Sequence, residues 1–175
     1  MINRGVLFIA LIVISITNLQ ASEGSSFVWG ADIGSTIDMS NNDMSTINLD
    51  VNFGYKNSVI RTLGVGAGIY SALGNSNSLL PVYVVLRNNF GANTTAFFLD
   101  LRGGYSFNTL KGLYNQSGFF GSAGIGITLF ATEKAKSHII LSYNFYEIKS
   151  FIEENDMVSK FTNVGAASVR LGVSF

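Results

Sequence analysis

The sequence contains no cysteine, which excludes disulfide bonds, thiolate metal sites and lipid-modified cysteines. Proline occurs once, and charged residues make up 13% of the chain, about half of the roughly 25% that is usual. So few charges are unusual for a protein whose whole surface faces water. The 11 Lys and Arg residues balance the 11 Asp and Glu residues, so no net charge indicates a nucleic-acid-binding surface. The rest is strongly apolar and rich in Gly, Phe and Tyr.

The first 21 residues differ in character from the rest. Arg4 precedes an apolar run from Gly5 to Ile14, and the segment closes on the small residue Ala21, a plausible cleavage position. This layout is typical of a secretory signal peptide. A transmembrane helix is the alternative, but the run is shorter than the roughly 20 residues that a bilayer requires. We therefore expect a signal peptide over residues 1–21 and a mature domain over residues 22–175.

Beyond residue 22, apolar side chains alternate with polar or small ones. In the stretch TINLDVNFGYK, every second residue from Ile47 to Tyr55 is apolar. A period of two is typical of a strand with one apolar face, and no long segment has helical spacing. The pattern predicts eight strands, at about residues 27–37, 46–56, 60–70, 80–90, 95–107, 118–130, 137–149 and 162–175.

The predicted connections alternate in length, since three short ones are interleaved with four longer ones rich in Asn, Ser, Gly or charge. The short ones lie near residues 56–59, 91–94 and 131–136, and the longer ones near 38–45, 71–79, 108–117 and 150–161. This alternation is typical of outer-membrane barrels. A strand of about 11 residues, rising roughly 3.3 Å per residue at a tilt near 40°, covers about 27 Å, close to the apolar band of such barrels. We therefore predict an all-β fold, an eight-stranded antiparallel up-and-down transmembrane β-barrel.

The composition of the polar face indicates which face is turned outward. On a soluble lipocalin-like barrel that face would be the solvated exterior, with many Lys and Glu side chains. Here it carries small uncharged residues, as on two of the predicted strands: Gly64, Gly66, Gly68, Ser122, Gly124, Gly126 and Thr128. Small residues suit a crowded interior. The apolar face carries charge only at strand ends (Arg61, Glu147 and Lys149), where charge costs little in a bilayer, so we expect this face to contact lipid.

Six charged residues point inward by the same alternation, three acids and three bases within about one layer near the short turns. They are Asp32, Asp50, Arg87, Asp100, Arg102 and Arg170. Arg87 and Asp100 lie at matching heights on adjacent strands, and Asp32 and Arg170 do so on the first and last strands. Because charges removed from water need partners, we predict a layer of lumenal ion pairs that closes the narrow barrel. The alternative is that one-residue slips place these charges at the rims.

The last predicted strand, ASVRLGVSF, alternates up to Phe175. With eight strands and a signal peptide before it, the chain resembles the small eight-stranded outer-membrane β-barrel proteins, which include the transmembrane domain of outer membrane protein A. The stretch LLPVYVVLRNNFG is also similar to the fourth strand of small barrels from Bacteroidetes-type bacteria.

That resemblance implies a role for the closing strand and a set of partners. In the family, the closing strand is the signal read by the outer-membrane barrel assembly machinery, and here it would present Val169, Leu171, Val173 and Phe175. Membership would also imply passage through the periplasm with chaperones, and contact with outer-membrane lipids and lipopolysaccharide.

Candidate catalytic and ligand-binding residues are few. Some small outer-membrane barrels modify lipid A with a His, a Ser and an acid, but the single histidine, His138, lies beside a short turn, opposite the outer leaflet. We therefore interpret His138 as an interfacial residue. The acidic residues Glu153, Glu154 and Asp156 match no defined calcium site, and the Gly-x-Gly repeats precede no helix. We predict no enzyme, metal site, cofactor or nucleic-acid partner.

The sequence therefore predicts a monomeric, integral outer-membrane protein of a Gram-negative bacterium, with a structural or surface-interaction role for its loops. Three alternatives remain open: a secreted soluble lipocalin-like barrel that binds a lipophilic ligand, a lipid A-modifying barrel enzyme, and a narrow pore. General diffusion is not expected, since aqueous porins use about 16–18 strands.

Overall fold

The computed structural model describes residues 26–40, 45–56, 60–73, 78–90, 96–108, 117–132, 134–154 and 156–175. The predicted signal peptide lies outside these ranges, as do parts of the predicted connections. Within the described part, no helix is long and apolar enough to cross a membrane, a finding that concerns helices and says nothing about a β-barrel.

Eight strands make up the described structure. They are β1 (Ser26–Asp38), β2 (Thr46–Lys56), β3 (Ile60–Ala72), β4 (Ser78–Asn89), β5 (Phe97–Asn108), β6 (Ser117–Ala131), β7 (Lys136–Glu154) and β8 (Asp156–Ser174). Each strand pairs antiparallel with the next, and β8 pairs with β1 to close the barrel. The predicted eight-stranded up-and-down barrel is confirmed.

On strand β2, the alternation of the sequence places apolar side chains on the outer face of the barrel and polar side chains in its interior. Ile47, Leu49 and Phe53 are 51%, 50% and 47% exposed, whereas Asn48 and Asp50 between them are fully buried. A soluble protein buries its large apolar side chains and exposes its charges, so this barrel has the opposite arrangement. The expected orientation, with apolar side chains outward, is therefore the observed one.

The hairpin of β7 and β8 is longer than the sequence pattern indicated. We expected a loop over residues 150–161, but the two strands stay paired up to Glu154 and Asp156. Pairing of β6 with β7 ends at Tyr146, and pairing of β1 with β8 ends at Ala166, so the hairpin continues beyond the barrel wall. Its two arms contain β-branched residues such as Ile152 and Val158, which favour a strand over a loop despite the nearby charges.

In the described strands, two β-bulges interrupt the regular register, one between Ile60 and Thr62 and one between Thr128 and Phe130. A bulge inserts an extra residue and changes which face the following side chains occupy. Arg61, which we expected at the lipid-facing parity, is therefore turned inward and is only 7% exposed.

Candidate functional site

The six inward-pointing charged residues predicted from the sequence meet in the lumen. They lie on five strands, and each is at most 4% exposed: Asp32, Asp50, Arg87, Asp100, Arg102 and Arg170. We call these six residues the ionic cluster. They lie in the half of the barrel nearer the short turns, on the faces of β1, β2, β4, β5 and β8 that the strand alternation directs inward.

Arg102 is the centre of the ionic cluster. Its Nη2 lies 2.8 Å from Asp32 Oδ2, its Nε 2.9 Å from Asp100 Oδ1, and its Nη1 3.3 Å from Asp50 Oδ1. Nη1 also donates a hydrogen bond of 3.0 Å to the hydroxyl of Tyr83. One guanidinium thus contacts all three carboxylates, a task for which its fixed fork of five donors is suited.

Arg87 joins opposite sides of the lumen. It lies directly across from Asp100 in the register of β4 and β5, and its Nε is 2.7 Å from Asp100 Oδ2. Its Nη2 reaches Asp32 Oδ2 on β1 at 2.6 Å. The pairing proposed for neighbouring strands is therefore present, together with a second contact that strand adjacency does not indicate.

Arg170 does not pair with Asp32 as we had predicted. The register of β1 and β8 places Asp32 opposite Gly172, while Arg170 lies opposite Gly34. Arg170 Nη2 instead donates to the hydroxyls of Ser142 and Ser122, at 2.7 and 3.1 Å, and lies 3.6 Å from Asp100 Oδ1. Asp32 is already occupied by two other arginines and a histidine, which explains the different partner.

That histidine is His138, and our interpretation of it as an interfacial residue is wrong. His138 is fully buried, and its Nε2 lies 2.7 Å from Asp32 Oδ1. Gly172 makes the contact possible, because a Cβ there would overlap Asp32 Oδ1 and approach His138 Nε2 to 2.6 Å. The sequence carried a usable signal, since His138 shares the parity of the inward-facing Ser142 and Asn144 on β7.

Four aromatic side chains lie inside the barrel, in the half nearer the loops. Tyr70, Tyr83, Phe120 and Tyr146, which we call the aromatic cluster, are each at most 4% exposed. Phe120 packs against the other three, with ring centroids 5.4 to 6.1 Å apart. The hydroxyls of Tyr70 and Tyr83 donate to Asp50 Oδ1 at 3.0 and 2.8 Å, so the two clusters form one connected network.

The charged side chains of the site are paired with one another inside the barrel. Buried charges are tolerated where each is paired and hydrogen-bonded, and in the ionic cluster three carboxylates face three guanidiniums. In the part of the chain that the structure describes, no group of three or more His, Cys, Asp or Glu side chains is placed to hold a metal ion.

Comparisons with known proteins show the same architecture. No family model matches the sequence, and no curated protein is similar enough in sequence to count as a relative. Among solved structures, Neisserial surface protein A matches with a TM-score of 0.56 and 18% identity over 86% of this chain and 97% of that one. The N-terminal β-barrel domain of Pseudomonas aeruginosa OprF matches with a TM-score of 0.53 and 11% identity, over 85% and 97% of the two chains. The chain has the fold of the small eight-stranded outer-membrane β-barrels.

In this outer-membrane barrel fold, β8 completes the wall. Val169, Leu171, Val173 and Phe175 are 40% to 51% exposed on its outer face. The backbone amides of Phe175 and Trp29 each donate to the other's carbonyl oxygen, at 2.8 and 3.2 Å, and their rings stack 4.6 Å apart. These contacts fix the end of β8 against β1 at the rim near the short turns.

Proposed function

We propose that this chain is an integral protein of the bacterial outer membrane, with a closed lumen and a structural or surface-interaction role. The observation that supports this most strongly is the inverted surface, in which large apolar side chains are exposed while the charges of the ionic cluster are buried. In water, so large an apolar surface would cause aggregation. A lipid bilayer provides the solvent that such a surface requires. The surface role falls to the loop end, where the hairpin of β7 and β8 extends beyond the wall.

Membrane insertion is tested by fractionation and gel mobility. We expect the protein in the outer-membrane fraction, with a folded band whose mobility changes on heating in detergent. Leu141→Arg should reduce insertion. Leu141 is 59% exposed on the outer face, and an arginine at the bilayer midplane costs about 2–4 kcal/mol. A detergent-free soluble monomer that tolerates Leu141→Arg would refute the proposal and favour a secreted, ligand-binding barrel.

Closure of the lumen is a separate element of the proposal. Eight strands leave an interior just wide enough for side chains to fill, and Arg87, Asp100 and Arg170 are fully buried within it. We therefore expect no stepwise conductance when the purified barrel is added to a planar bilayer. Regular open-channel steps from the wild-type protein would contradict closure and support a narrow pore.

We propose no catalytic activity for His138. Its Nε2 lies against Asp32 inside the lumen, away from any lipid substrate. Overexpression should therefore leave the mass spectrum of lipid A unchanged. A new lipid A species that disappears in His138→Ala would show that the chain is a lipid A-modifying enzyme.

We also propose that the outer face of β8 is read during assembly, as the resemblance to small outer-membrane barrels suggests. Phe175→Ala should lower the fraction of heat-modifiable barrel in the outer membrane and increase the amount of unfolded chain. Phe107→Ala is the matched control, because Phe107 is a similarly exposed aromatic on β5. Equal assembly of the two variants would exclude a special role for Phe175.

A further inference from the structure

A small cavity opens at the mouth of the barrel near the short turns. It has a volume of about 70 Å³, room for roughly two water molecules at about 30 Å³ each or for one small oxyanion. Four of its lining side chains are cationic: Lys56, Arg61, Lys134 and Lys136. None of the described residues that line it is an Asp or a Glu.

Among the residues that line this cavity, Arg61 has a buried hydrogen-bond donor that lacks an acceptor among the described residues. Its Nη1 donates to Thr128 Oγ1 at 2.7 Å, and its guanidinium lies 4.2 Å above the centre of the Phe98 ring. Its Nη2 is buried and has no hydrogen-bond partner among the described residues. A buried guanidinium with an unused donor is costly unless an acceptor is supplied.

The carboxylates of the lumen do not supply that acceptor. Within the described part of the chain, no carboxylate lies within ion-pair distance of Arg61. The three aspartates of the ionic cluster are matched by its own three arginines. Among the described residues, Arg61 is therefore an additional buried positive charge without a carboxylate partner.

The surroundings of the cavity favour a phosphate group as the counter-ion of Arg61. Guanidinium and ammonium donors converging on one small space are the usual binding groups for phosphate oxygens. Hydrogen bonds between Thr132 and Ala135 fix the turn that carries Lys134. Phe175 also lines the cavity and is exposed on the outer face, so the opening lies at the rim where lipid headgroups would be found.

We propose that this mouth binds a phosphate group, with the four cationic side chains of its lining, Lys56, Arg61, Lys134 and Lys136, as donors. The phosphate comes either from the headgroup of a phospholipid in the adjacent leaflet or from free phosphate. The lipid source rests on the proposed membrane location, whereas binding of free phosphate does not.

The test uses the folded barrel in a maltoside detergent, which contains no phosphate, at low ionic strength. Sodium phosphate is titrated by calorimetry against sodium chloride of equal ionic strength. In parallel, native mass spectrometry compares retention of phosphatidylglycerol with that of uncharged diacylglycerol. Phosphate binding without lipid retention identifies a free anion, and preferential retention of phosphatidylglycerol identifies a headgroup. Both results support the site.

Variants decide whether this cavity is responsible. Lys134→Gln/Lys136→Gln, made in one chain, should weaken binding at least about tenfold, as expected for the loss of a charge-assisted hydrogen bond. Arg61→Gln should abolish binding, and the double variant covers the case in which Arg61→Gln does not fold. Lys149→Gln removes one positive charge near the opposite end, as Arg61→Gln does at the cavity, and should bind within about twofold of wild type.

The proposal is overturned if the wild type binds neither inorganic phosphate nor phosphatidylglycerol, or if the lysine double variant binds as well as the wild type. Either failure leaves the heat-modifiable band unaffected, so it is distinguishable from failure of the proposed membrane location.

Discussion

The half of the lumen near the short turns carries buried charges, whereas the half near the loops carries buried aromatic rings. In the ionic cluster, Arg102 contacts three carboxylates. In the aromatic cluster, Phe120 packs against three tyrosine rings. The two halves respond differently to damage, because removing one partner of a buried ion pair leaves an uncompensated charge, while trimming a ring leaves a cavity whose cost depends on its volume.

Removing Arg102 should cause the largest loss in the free energy of unfolding. Arg102→Met leaves the charges of Asp32, Asp50 and Asp100 under-compensated, and we expect a loss of about 4 kcal/mol in the free energy of unfolding. Arg170→Met should cost about 2 kcal/mol, because Arg170 lies farther from its carboxylates. The free energies of unfolding of both variants are measured by urea titration in detergent micelles, with the fraction of folded, heat-modifiable band on a gel as the readout. Equal and negligible losses would mean that the ionic cluster does not stabilise the barrel.

Truncating Phe120 tests the aromatic half. Phe120→Ala should lower the free energy of unfolding by about 3 kcal/mol, because it leaves a cavity among three tyrosines. Phe119→Ala removes a neighbouring ring that is 50% exposed on the outer face and should cost less than about 1 kcal/mol. The same urea titration compares them, and a larger loss for Phe119 would contradict the observed orientation of β6.

Adding one methyl group at Gly172 tests how tightly the ionic half is packed. Gly172→Ala should cost about 2 kcal/mol, because the new Cβ meets Asp32 and His138. Gly103→Ala is the matched control, since a Cβ there meets nothing within 4 Å. For both variants, the temperature at which the folded gel band converts to the unfolded band measures the stability. Equal tolerance of the two substitutions would show that His138 and Asp32 are not held together by this close approach.

The smallest effect should come from the link between the two halves. Tyr83→Phe keeps the ring against Phe120 but removes the hydroxyl that bonds Asp50 and Arg102. We expect a loss of about 1.5 kcal/mol, as for a hydrogen bond to a charged group. In a double-mutant cycle with Arg102→Met, the two losses should be non-additive. Full additivity would show that the ionic and aromatic halves are energetically independent.

Much of this architecture follows from alternation, loop lengths and the composition of the polar face. A period of two over most strands predicts the strands and places the six charged residues on one face, and the small uncharged residues of that face indicate that it points inward. Pairing across the lumen could not be predicted in the same way, since alternation gives the face and height of a side chain but not its angular position around the barrel. Arg87 therefore reaches Asp32 as well as Asp100.

The remaining errors have local causes. Arg61 was assigned to the wrong face because one extra residue in a bulge shifts the parity of the strand. His138 was judged by its height near a turn, although its parity directed it inward. The residues after Lys149 were read as a loop because charge was given more weight than the β-branched residues between the charges.

The contact between Trp29 and Phe175 has a consequence for how the barrel forms. Residues far apart in the sequence meet at this seam, and such non-local pairing is the slowest to form because the loop-closure entropy must be overcome before the contact contributes. Trp29 is the chain's one tryptophan, and its indole stacks directly on the ring across the seam. The fluorescence emission of Trp29 therefore reports the pairing of β8 with β1 that closes the barrel, separately from the formation of the individual hairpins.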